Sequence, residues 1–119
     1  MLDSYKFTLT LTAATGNVDS KRSCSGRVVG VGFVFTGVPG TTVLTLTTKG
    51  SNGPVLTVLV TPAGNTNIWY FPQAPTVKTI DGSAISAWYV DPQVGGDFLN
   101  LAAASSGAGT VDCYVLLEN

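Results

Sequence analysis

The sequence predicts an all-β fold, a single antiparallel β-sandwich of about eight strands with a jelly-roll or related Greek-key topology. In the first predicted strand, residues 5–12, apolar and polar residues alternate with a period of two, as expected for a half-buried strand. Similar short segments recur along the chain, each bounded by Gly, Pro, Asn or Asp, and none has a helical period. A length of 119 residues suits one domain, residues 1–119.

The second predicted strand, residues 27–36, is apolar on both faces and contains Gly30 and Gly32. We expect it to lie centrally, or to have its outer face covered. The segments between strands have the composition of turns, such as KGSNGP at 49–54 and SSGAG at 105–109. The six remaining strands are predicted at residues 42–48, 54–61, 67–71, 84–90, 97–102 and 110–117.

Composition limits the chemistry that the chain can support. The sequence has no His, which removes the usual general base, the Ser-His and Cys-His nucleophile systems and most zinc sites. We therefore expect no enzyme activity, no catalytic residue, no cofactor and no metal. Paired carboxylates could in principle cleave glycosides, and Asp97 with Asn100 could offer oxygens to calcium, but turn and solvated-loop roles are the simpler interpretation.

Charge and chain layout indicate where the protein acts. The net charge of -1 and a sequence pI near 4.9 give no reason to expect nucleic-acid binding. Apolar runs are too short for a membrane helix, and the N-terminus lacks the layout of a signal peptide, so we expect synthesis in a cytoplasm. Cys24 and Cys113 do not form a disulfide framework; reduced thiols are expected, with a disulfide formed late, after leaving the cell, as the alternative.

Aromatic residues cluster in the second half of the chain. Trp69, Tyr70 and Phe71 are consecutive, and Trp88 and Tyr89 follow. One interpretation is a contact patch or sugar-stacking platform formed by Trp69, Tyr70, Trp88 and Tyr89, because such rings offer an apolar face and a polar edge. The other is packing in the core or between subunits. In an extended strand Tyr70 must point away from its two aromatic neighbours.

Cations are concentrated near the N-terminus. Lys21, Arg22 and Arg27 lie in or beside the turn between the first two strands, which is either an exposed polar loop or a contact with an acidic partner. The first 78 residues hold all six cations, whereas the remaining residues hold five acids and no cation. This asymmetry suits a head-to-tail contact between copies, and it equally suits pairing of the two halves within one chain.

The chain also has more apolar character than a small monomer can bury. Its mean hydropathy is +0.33, and a domain of this size buries only about two-thirds of its unfolded-chain surface. We expect the excess to be covered by a partner. The sequence therefore predicts a homo-oligomer or a permanently bound coat component.

Five segments of the chain form a recognisable combination: YKFTLTLT, GRVVGVGFVFTG, NTNIWYFPQAP at 65–75, the VGG turn followed by FLNLAAA, and the terminal GTVDCYVLLEN. Together they resemble small virion structural proteins of tailed bacteriophages, and the most specific is the aromatic-proline stretch at 69–75. The resemblance covers nearly the whole chain and implies a β-sandwich that binds assembled capsid on the virion surface, often as a trimer, and braces the major capsid protein. It supplies no catalytic residues.

Under this resemblance, chain ends and loops are the expected capsid contacts, because they reach neighbours without disturbing the core. These are Met1, Leu2, Asp3 and Ser4, with the loop at 20–26 and Arg27. Two other classes stay open. A tail, baseplate or head-completion component would share the fold at low copy number, and a carbohydrate-binding module would use Trp69, Trp88 and Tyr89 as its platform.

Overall fold

The computed structural model describes residues 2–51, 53–72, 74–77 and 84–118, and for 74–77 and 84–90 only the backbone. This part of the chain is all-β, with eleven strands and no helix. Two antiparallel sheets pack together, and a separate two-stranded hairpin accompanies them. None of the described residues forms a helix that could span a membrane.

The strands follow the period-two pattern of the sequence, and glycine, proline and polar residues separate most of them. Their bounds are β1 Leu2–Leu11, β2 Gly16–Asp19, β3 Cys24–Thr36, β4 Val43–Thr48, β5 Thr57–Val60, β6 Ile68–Tyr70, β7 Ala74–Val77, β8 Ala84–Val90, β9 Gln93–Asp97, β10 Leu99–Ala104 and β11 Gly109–Glu118.

The first sheet has the order β1-β11-β3-β6, and β9 also pairs with the beginning of β3. The second sheet has the order β2-β10-β4-β5, and β7 pairs with β8. The short turn between β1 and β2 brings these two edge strands together. The other two ends of the sheets, β6 and β5, therefore lie on the opposite side of the sandwich.

The core lies between the inner faces of the two sheets. In β1 the alternate residues Phe7, Leu9 and Leu11 are buried, while the threonines between them face outward. The same alternation recurs in β10 and β11, as period-two strands require. The largest fully buried side chains are Phe33, Leu9, Leu44, Leu46, Leu99, Leu101, Val28, Val31, Val111, Val115, Thr42 and Cys113.

All eight predicted segments overlap strands of the structure. The prediction for residues 27–36 is confirmed, because β3 pairs with β11 on one side and with β6 and β9 on the other. The described residues contain three further short strands, β2, β7 and β9. Each contains Gly, Pro or Asn, residue types that indicate turns, so the sequence pattern did not reveal them.

Candidate functional site

The register of the strands aligns four residues in a row across the outer face of the first sheet. Lys6 lies opposite Tyr114, Tyr114 opposite Gly32, and Gly32 opposite Trp69. This row crosses all four strands from β1 to β6. Because directly opposed residues project to the same face, the row presents a cation, a phenol, a glycine and an indole side by side.

Two glycines of β3 let aromatic rings lie close to the sheet. A Cβ atom on Gly32 would stand 2.9 Å from both Cδ2 and Cε3 of Trp69, and 3.0 Å from Cε2. Similar distances to three atoms of one ring indicate that the indole lies flat over the strand. At Gly30 a Cβ atom would lie 3.4 Å from Cε1 of Phe71 and 3.3 Å from Cδ1 of Leu116. The glycines therefore serve as seats for large side chains.

We call the resulting surface the aromatic face, and define it as Gly30, Gly32, Trp69, Phe71, Tyr114 and Leu116. The rings of Trp69 and Tyr114 have centroids 6.5 Å apart. A shallow cavity of about 400 Å³ opens here, lined in part by Gly32, Trp69 and Tyr114. Trp69 is 46% exposed and Phe71 is 69% exposed, so the face presents large apolar side chains to its surroundings.

The structure divides the aromatic residues singled out in the sequence. Trp69 lies on the aromatic face, whereas Tyr70 points inward and packs edge-on against Phe33, with ring centroids 6.0 Å apart. Trp88 and Tyr89 belong to β8, and their side chains lie outside the described residues. Phe71, also singled out in the sequence, lies on the aromatic face beside Trp69. The sequence analysis did not connect these two rings with Gly30, Gly32, Tyr114 and Leu116. The feature of the sequence that could have indicated this face is the pair of glycines at alternate positions of a central strand.

The charges of the two halves meet within one chain. Lys6 lies 3.9 Å from Asp112, and Arg27 lies 3.4 Å from Asp91 and 2.9 Å from Glu118. Each of these pairs joins a cation from the first 78 residues to an acid from the rest. Of the two arrangements that the sequence left open, the structure shows pairing within the chain for these groups.

Most of the expected partner-contact residues gather at one corner of the first sheet. The guanidinium of Arg22 lies 3.2 Å from an oxygen of Asp3 and 4.6 Å from the centroid of the Tyr5 ring. The backbone N–H of Lys21 donates to the hydroxyl of Tyr5 at 2.7 Å. These contacts fasten the loop at 20–26 to β1. We call Leu2, Asp3, Ser4, Lys21 and Arg22 the N-terminal corner.

The other residues predicted to contact a partner are the first four of the chain and Arg27. Leu2 is 58% exposed, and Asp3 and Ser4 are also exposed. Arg27 lies two strands away in the same part of the sheet, because Leu2 and Arg27 both stand opposite Glu118. Met1, also predicted as a contact, lies outside the described residues.

Asp97 has a structural role that the sequence did not reveal. Its side chain is buried and accepts hydrogen bonds from the backbone N–H groups of Gly50, Ser51 and Phe98, at 2.9, 3.2 and 2.8 Å. Burial alone would raise the pKa of this carboxyl, but the backbone donors outweigh burial and lower it. Asp97 thus holds the turn after β4. The interpretation as a solvated loop charge is wrong.

Asp19 is the second carboxylate with a lowered pKa. Its hydrogen bond from Lys49 is the main cause, followed by one from Nδ2 of Asn100 at 2.8 Å. Asn100 therefore faces β2 rather than Asp97. Among the described residues, no group of three or more His, Cys, Asp or Glu side chains could hold a metal ion.

Cys24 and Cys113 are both buried and both free. Burial raises the pKa of each thiol. Since the thiolate is the reactive form, both groups are poor nucleophiles in the folded protein.

Comparison with protein-family models, with curated proteins and with solved structures found no match for this chain.

Proposed function

We propose that this chain is a non-enzymatic structural protein of a tailed-bacteriophage virion. In this proposal it is a decoration or cement protein, made in the host cytoplasm, that binds the assembled head as a homo-oligomer and stabilises contacts between major capsid subunits. The observation that carries the proposal is the aromatic face, which supports its homo-oligomer part. It exposes rigidly seated Trp69 and Phe71 side chains of the kind that anchor protein interfaces.

We also propose that the sandwich is a jelly roll. Support comes from the strand order, in which β1-β11-β3-β6 faces β2-β10-β4-β5. Along the chain, these eight strands are divided between the two sheets in the order that two Greek keys require. Strands β7, β8 and β9 form an insertion between β6 and β10. Jelly rolls occur in viral capsid proteins and in lectins, so the fold agrees with the proposal without deciding it.

A decoration protein acts mechanically, since each copy contacts more than one capsid subunit and many weak contacts multiply once the lattice has formed. We assign the capsid contact to the N-terminal corner. This corner is exposed, carries charges of both signs and contains the expected contact residues Lys21 and Arg22.

Co-sedimentation with empty capsids of the parent phage tests the proposal. We expect the protein to saturate the lattice at many copies per particle, and Lys21→Ala to weaken binding. Lys49→Ala is a matched control, because Lys49 directly follows β4 of the second sheet and pairs with Asp19 at the surface, where an ion pair is worth about 1 kcal/mol or less. Absence of binding would contradict the proposal. Saturation at a few copies would instead indicate the tail, baseplate or head-completion role.

A carbohydrate-binding module is the second candidate, favoured by one observation. The indole of Trp69 has one face against Gly32 and remains 46% exposed, which is a geometry that suits stacking of a sugar ring. Titration with soluble glycans should then change tryptophan fluorescence in the wild type and leave Trp69→Ala unchanged. An unchanged wild-type spectrum across a glycan panel would argue against this candidate.

A further inference from the structure

We infer that the aromatic face is the surface through which two copies of this chain associate, each placing Trp69 and Phe71 against the other across a two-fold axis. This inference deepens the proposed function and rests on its self-association part. The capsid contact proposed above uses a different surface, the N-terminal corner.

The exposed apolar area is large enough to form the centre of an interface. A large aromatic side chain presents about 150–250 Å². At 46% and 69% exposure, Trp69 and Phe71 together leave on the order of 250 Å² open. Tyr114 and Leu116 are partly exposed and add to this area. The patch supplies the apolar centre of an interface whose usual size is about 800 Å² per partner.

Charge favours a second copy as the occupant. Residues 50–77, which include both β5 and β6, contain no Asp, Glu, Lys or Arg. At the rim of the aromatic face, Lys6 is accompanied by Asp112 at 3.9 Å. A patch that meets itself across a two-fold axis brings like charges together unless it is neutral or carries both signs. This surface satisfies that condition, with a neutral centre and a rim pair that can exchange partners between copies.

The edge strand β6 supports the same assignment. Within the described residues β6 pairs only with β3, and none of its three residues is charged. Exposed edges are usually protected by charged side chains, which this edge lacks. A partner laid over β6 would protect it. The rings already rest on Gly30 and Gly32, so little side-chain freedom is lost when the partner binds.

Light scattering on the purified full-length chain tests the inference. At about 50 μM we expect the wild type to have twice the 12.3 kDa mass of one chain, since two-fold dimers are the commonest closed assembly. Phe71→Glu should weaken association at least about tenfold, because the two-fold axis brings the new carboxylate of one copy into the same buried interface as that of the other. Trp69→Ala is the second variant and should act in the same direction. Circular dichroism checks that both variants keep the β fold.

Thr10→Glu is the matched control. Thr10 is exposed on β1, at the far edge of the same sheet, so the variant adds the same charge away from the aromatic face. It should remain dimeric. A dimeric mass for folded Phe71→Glu and Trp69→Ala would overturn the inference, as would a wild-type mass of one or three chains, the latter being the trimer that the phage resemblance implies.

The capsid experiment separates this inference from the proposed function. A dimer that is disrupted by Phe71→Glu but ignores capsids would support the inference and contradict the capsid role. A wild-type monomer whose capsid binding is lost in Phe71→Glu would assign the aromatic face to the capsid and overturn the inference.

Discussion

Replacing Gly32 by Ala tests whether the seat beneath Trp69 stabilises the fold. The new Cβ would stand 2.9 Å from two indole carbons, so the ring has to move off the strand. Trp69 is about half covered, so of the about 200 Å² of a whole indole roughly 100 Å² is buried against the protein. Losing this contact would cost about 2.5 kcal/mol at about 25 cal/mol per Å². Ala recovers about 0.5–1 kcal/mol over Gly in a strand. We therefore expect a net destabilisation of about 1.5–2 kcal/mol.

Urea unfolding followed by circular dichroism, at one fixed protein concentration, measures this effect. Gly95→Ala is the matched control: Gly95 also lies in a strand paired with β3, and a Cβ there meets nothing within 4 Å. It should be neutral or slightly stabilising. If Gly32→Ala proves as stable as Gly95→Ala, the indole does not depend on the glycine seat, and the reasoning about the aromatic face fails.

Three other outcomes are expected. Asp97→Asn should lower the urea midpoint at pH 7. The difference from wild type should shrink as pH falls below 3.8, the ordinary pKa of Asp, because the ionised carboxyl of Asp97 stabilises the fold and this stabilisation is lost when the carboxyl is protonated. Leu46→Ala should cost about 2–5 kcal/mol in the same assay, since Leu46 is fully buried. Cys24 and Cys113 should react with Ellman's reagent only as fast as the protein opens; immediate reaction in native buffer would contradict their burial.

The sequence predicts most of this fold because hydrophobic alternation is a local signal. The alternation of Phe7, Leu9 and Leu11 already identifies the inner face of β1, and the doubly apolar segment 27–36 identifies a central strand. Short strands escape prediction for the opposite reason. In β9, which contains Gly95, pairing with β3 outweighs the turn propensity of the segment, and the sequence does not show that partner.

The candidate site depends on register, which the sequence leaves open. Gly32 and Trp69 are far apart in the chain, and they meet only because β3 and β6 pair at Gly32↔Trp69. A shift of that register by one residue would place Trp69 opposite Val31 or Phe33 and turn its ring toward the other face of the sheet. Two glycines at alternate positions of a central strand suggest a close approach, but they do not say which ring approaches. The aromatic face is thus a property of strand pairing, and the Gly32→Ala measurement tests the ring contact that this pairing creates.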